Sequence, residues 1–121
     1  MVPRLTLPRS RRLRQRRDFS RLRQNGRRLA RRELVLNWQE RSVDGDSRMA
    51  VITTRRLGNA VVRNRARRLL RECFRRNQHA LCKPVDMVLV ARSGLVGAGL
   101  AQAETAFLGA LREANLLSRQ Q

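Results

Sequence analysis

RMAVITTRRLGNAVVRNRARRLLRECFRRN, residues 48–77, decides the fold. Its opening, Arg48 to Thr54, is rich in strand formers and predicts a β-strand. From Asn59 to about Asn77 the period changes. Val62, Ala66, Leu69, Leu70 and Cys73 recur at helical spacing on one face, with Phe74 at its edge. Gly58 permits a tight turn and Asn59 is a good N-cap, so the strand passes directly into the helix. That helix N-terminus offers free amides to an anion, although the glycine and lysine spacing of a P-loop is missing. Arg63, Arg67 and Arg71, each four apart, form a stripe beside the apolar face, and Arg65 and Arg68 extend the charge round the helix. Stacked guanidiniums repel, so either phosphates sit against them or they form a solvated face with Glu72 and counterions.

Working outward, ELVLNWQ (Glu33 to Gln39) predicts a strand, VDGDS (Val43 to Ser47) a turn, and the region of Leu29 a short extra strand. Leu13, Phe19 and Leu22 fit a helix from Leu13 to about Gln24, stopped by Asn25-Gly26. Residues 1–13 hold Pro3, Pro8 and a growing cluster of arginines, the pattern of a flexible basic arm. On the other side Pro84 breaks the chain and VDMVLVA (Val85 to Ala91) predicts a buried strand. SGLVGAG (Ser93 to Gly99) reads as a loop. Ala103, Phe107, Ala110, Leu111 and Leu117 then give an amphipathic C-terminal helix. The expected fold is α+β, a small sandwich of order α-β-β-β-α-β-α in one domain, residues 14–118, with a tail at 119–121.

The 121 residues include 28 basic and 9 acidic side chains, a formal net charge of +19, and Lys83 is the only lysine. A domain with that charge repels itself unless a polyanion neutralises it. Nucleic acid is the first partner to expect and an anionic membrane surface the second. Arginine's planar fork suits phosphate and base recognition, although biased codon usage also produces such a ratio. Hydrophobic residues, 41% of the chain, suffice for one modest core and are too many for a disordered polycation. No apolar run is long enough to span a bilayer, and the N-terminus lacks the apolar stretch of a signal peptide. Cys73 and Cys82, with His79 alone between them, suit neither a disulfide framework nor a zinc site. They read as reduced thiols in a cytoplasmic protein, Cys73 packing as a small hydrophobe.

No catalytic constellation is visible. His79 has no carboxylate or serine at a suggestive spacing, and Glu33, Glu40, Asp44, Asp46 and Glu72 form no metal-binding motif. A helix-turn-helix is excluded because a strand, not a helix, precedes the arginine-rich helix. Trp38 reads as core or sheet-edge packing. Phe19, among arginines, is open between core packing and stacking on an unpaired base.

RRLGNAVVRNRARRLLRECFR, Arg55 to Arg75, resembles the signature of the protein subunit of bacterial ribonuclease P, whose characteristic RNR helix is similar to Arg63-Asn64-Arg65 with Arg67, Arg68 and Arg71. RLRQRRDFSRLRQNGRR upstream, with its Asp-Phe pair and later glycine, and DMVLVAR downstream extend the likeness in the same order. The resemblance implies a ribonucleoprotein that removes the 5′ leader of precursor tRNA. Its RNA subunit performs the Mg2+-dependent hydrolysis, and the protein binds no cofactor of its own. It implies that Arg63, Asn64, Arg65, Arg67, Arg68 and Arg71 contact the RNA subunit. Arg17, Phe19, Val35 and Arg56 are implied for the leader cleft, between the first helix and the sheet. The family's aromatic one turn after Phe19 is Arg23 here, and an aromatic common on the next strand falls on Asn37. Leader binding is therefore expected to lean more on arginine than on stacking. The resemblance also implies a left-handed βαβ crossover, against the general right-handed rule, in a fold shared with a domain of a small-subunit ribosomal protein. The competing expectations are a ribosomal or RNA-chaperone protein without a processing role, and a membrane-active basic protein. The latter is disfavoured by the core spacing of the apolar residues.

Overall fold

A computed structural model describes residues 12, 16–41 and 46–118. Seven elements follow in the expected order: α1 (Arg16–Asn25), β1 (Arg27–Ala30), β2 (Leu34–Glu40), β3 (Arg48–Ile52), α2 (Ala60–Asn77), β4 (Val85–Ala91) and α3 (Leu100–Glu113). The strands form one sheet of order β1-β2-β4-β3. β1 and β2 pair antiparallel, as do β2 and β4, with Leu36 opposite Leu89. β3 lies parallel to β4, so α2 is the crossover helix between them.

Strand alternation gives the sheet two unlike faces. Leu34, Leu36, Trp38, Met49, Val85, Met87, Leu89 and Ala91 point to the side covered by α2 and α3 and form the main core. The second face presents Val35, Asn37, Ala50 and Val88, and α1 lies against part of it through Leu22 and the half-buried Phe19. A core on one face thus leaves the other free for a site.

Two glycines carry turns that no larger residue could take. A Cβ on Gly26 would stand 2.5 Å from the Leu22 carbonyl oxygen and 2.9 Å from that of Trp38, so the α1–β1 turn needs glycine. Gly58, at φ 153°, lets the chain leave the short 3-10 turn Arg55–Leu57 and enter α2. Asn59 then caps α2, its side chain accepting from the Val62 amide at 3.0 Å.

Three details correct the sequence reading. Phe74, expected at the edge of the apolar face, is fully buried because the later turns of α2 are enclosed between the sheet and α3. Val62, expected on that face, is only half-buried at the first turn. α3 ends at Glu113 and does not run on to Leu117. Asn115 takes φ 60°, turning Leu116 into the core and leaving Leu117 to bridge Leu81. The short strand expected near Leu29 is β1. Of the expected arm, Arg12 alone is described, in an isolated parallel bridge with Met49 at the β3 edge. The rest of that arm, the helix start at Leu13, residues 42–45 of the expected turn and the tail 119–121 lie outside the described residues.

Candidate nucleic-acid interface

α2 divides into two electrostatic halves. Along its first three turns Arg63, Arg67 and Arg71 stand half-buried, and Asn64, Arg65 and Arg68 are exposed. The Arg67 Nη1 donates to Asn64 Oδ1 at 2.7 Å, and the Arg63 Nε to the Asn59 carbonyl at 3.4 Å. These are neutral acceptors, and no carboxylate among the described residues pairs with any of the five arginines. Burial, and after it the charges of Arg12 and Arg67, lowers the pKa of the Arg71 guanidinium. An arrangement in which like charges disfavour one another is stabilised when an anion arrives.

The last turns of α2 are the opposite case. Arg75 grips Glu72 with Nε at 2.8 Å from Oε1 and Nη2 at 2.6 Å from Oε2, which holds the Glu72 carboxyl below its ordinary range. Glu104 of α3 lies 3.5 Å from the Arg76 Nε and accepts from the Asn77 Nδ2 at 2.8 Å. The bare positive stretch therefore runs from Arg63 to Arg71 and stops there.

The residues expected at a leader cleft gather only in part. Leu22 and Asp18 share the buried side of α1, one turn apart, and place Phe19 beside Val88 and Ala50. Val35 lies on the same sheet face and is 6% exposed, opposite Val90 of β4. Ile52 at the end of β3, opposite Val90, is 39% exposed and makes an apolar surface that the sequence reading missed. Strand alternation was the available signal. Arg17 is exposed on α1, and Arg56 is exposed on the 3-10 turn that follows β3. Arg23 is exposed. Asn37 faces this side and donates to the Val88 carbonyl at 3.4 Å, whereas Trp38 is buried in the main core, as its alternation predicts.

A second omission is ionic. Asp18, Arg21, Arg41, Arg48 and Asp86 meet where α1 crosses the sheet. Asp86 is the only charged residue in the VDMVLVA run, and a lone carboxylate in a buried strand was the signal.

A family model described as Ribonuclease P matches residues 7–115. The ribonuclease P protein component of Syntrophomonas wolfei is 32% identical over 108 residues, spanning 89% of this chain and 90% of that one. That of Syntrophus aciditrophicus is 36% identical over 91 residues, 75% of this chain and 76% of that one. Among solved structures, the RNase P protein of Thermotoga maritima is 30% identical, with a TM-score of 0.75 over 84% of this chain and 96% of that one. The Staphylococcus aureus RNase P protein, 24% identical, shares the fold with a TM-score of 0.80 over 89% and 98% of the two chains.

Proposed function

The chain belongs to the ribonuclease P protein family, and from that premise we propose that it binds the catalytic RNA subunit through α2 and the 5′ leader of precursor tRNA across the second face of the sheet. The observation that carries this reading is the stretch Arg63–Arg71, where the arginines have no carboxylate partner among the described residues. As part of an RNA-processing enzyme the chain supplies binding and placement. A rigid helix of fixed charges suits the backbone of a folded RNA, and a partly apolar sheet face suits splayed bases.

Arg63, Asn64, Arg65, Arg67, Arg68 and Arg71 take the RNA subunit in this reading. Phe19, Val35 and the neighbouring Ile52 take leader bases, and Arg17 and Arg56 take its phosphates at the rim. Hydrolysis, and the Mg2+ it needs, are assigned to the RNA subunit in the cytoplasm. Among the described residues no three His, Cys, Asp or Glu gather within reach of one cation, and Asp86 is already held by arginines.

The deciding experiment combines the protein with a bacterial ribonuclease P RNA and precursor tRNA at low magnesium. Accurate 5′ processing is expected with both subunits, and none with nuclease-free protein alone. A protein that binds the RNA without stimulating cleavage would be an RNA chaperone, and the reading would fall.

A further inference from the structure

The sheet face that carries α1 holds two carboxylates sunk among arginines. Asp86, 1% exposed, accepts bidentately from Arg48, whose Nε lies 2.9 Å from Oδ1 and Nη2 2.8 Å from Oδ2. Arg21 of α1 donates from Nη2 to the same Oδ2 at 2.6 Å and from Nε to Gln39 Oε1 at 3.1 Å. The Arg41 Nε stands 3.9 Å from Asp86 Oδ1. Asp18, 6% exposed, lies 3.4 Å from the Arg21 Nη2 and 3.5 Å from the Arg48 Nη2. α1, β3, β4 and the end of β2 thus converge on one ionic knot of three guanidiniums and two carboxylates.

Two consequences follow from that geometry. The apolar contact beneath α1 is small, with Leu22 and Val88 buried and Phe19 and Ala50 only partly so. The ions therefore do much to fix where α1, and Phe19 with it, stands over the sheet. Guanidinium donors used by a buried carboxylate are also withheld from phosphate. In a chain of charge +19, open arginines on this face would hold any polyanion without regard to sequence.

We propose that Asp86, seconded by Asp18, is a specificity-determining positioning residue of the leader site. It sets α1 over the sheet and occupies Arg21 and Arg48, so that this face selects a leader by its bases and does not grip RNA at large by its phosphates. The inference rests on the leader reading proposed above.

Asp86→Asn keeps the side-chain shape and removes the charge. The variant is assembled with the RNA subunit, and its affinities for precursor and mature tRNA are compared at one salt concentration. The protein alone is titrated with a short uridine oligonucleotide across a salt series, and its melting temperature is followed. The preference for precursor over mature tRNA should fall about tenfold, the equivalent of one misplaced base stack. Oligonucleotide binding should tighten, and its salt slope should steepen by about 0.7 for each guanidinium released to a phosphate. A lower melting temperature with weaker binding to every RNA and no steeper slope would make the knot merely structural and overturn the proposal. Asp18→Asn, whose contacts are longer, gives the same readouts in milder form if Asp86→Asn does not fold, and an unchanged preference and slope there would also overturn it. Phe19→Ala separates the two readings. If it lowers the preference and the aspartate variants do not, this proposal fails and the leader reading stands. If none of them lowers it, the leader reading fails as well.

Discussion

Single side chains in this molecule are decided by their surroundings more than by their chemistry. Cys73 is fully buried on the core side of α2, and burial, with Glu104 nearby, pushes its thiol up to about 12. Cys82 is exposed, its Sγ directed at the Asn115 carbonyl at 3.7 Å. The thiolate is the reactive form, so Cys73 should be inert at neutral pH, whereas Cys82 stands open to reagents at the surface. Titration with a thiol reagent should therefore modify one cysteine quickly and the second only on unfolding. Rapid reaction of both would contradict the packing. The sign of the alkaline response follows too. The unfolded chain ionises Cys73 near its ordinary value of 9.0 while the folded chain does not, so the fold loses stability as pH climbs from there toward 12.

At the scale of elements, α2 does two jobs on different sides. Ala66, Leu70, Cys73 and Phe74 anchor it in the core, and the arginine stripe lies off that face. Removing charge there should cost binding and leave the fold intact. Arg63→Ala with Arg67→Ala should weaken binding to the RNA subunit and flatten its salt dependence by about 0.7–0.9 in log K against log salt for each lost phosphate contact. A filter-binding series over salt, with melting curves beside it, checks this. An unchanged slope with a lower melting temperature would make the stripe structural. Arg75 and Arg76, already engaged by Glu72 and Glu104, stand outside this expectation.

Across the whole molecule the charge of +19 opposes compactness, and the buried knot offsets only a little of it. Salt screens exposed charges, with a Debye length of about 10 Å at 0.1 M, and leaves buried pairs largely intact. The free protein should therefore become more stable as ionic strength rises. If screening returns about 1 kcal/mol, the melting temperature should climb by roughly 4 °C. Thermal unfolding followed by circular dichroism in rising sodium chloride tests this. A fall would mean that surface ion pairs, not self-repulsion, dominate.

The order of elements, the strand from Val85 to Ala91, the Asn59 cap and the burial of Trp38 were all legible in the sequence, because each depends on local period and on residue types at near positions. The bare arginines of Arg63–Arg71 were legible for the same reason, being one face of one helix. The remaining features join residues far apart in the chain. Asp86 meets Arg21 across 65 positions, and Glu104 accepts from Asn77 across 27. The end of α3, the depth of Phe74 and the exposure of Ile52 likewise depend on what packs against them. Periodicity says which side of an element is apolar. It does not say which neighbour covers that side, or how far, and on that depend the exposure of the second sheet face and the pairing of Arg21 and Arg48 with Asp86.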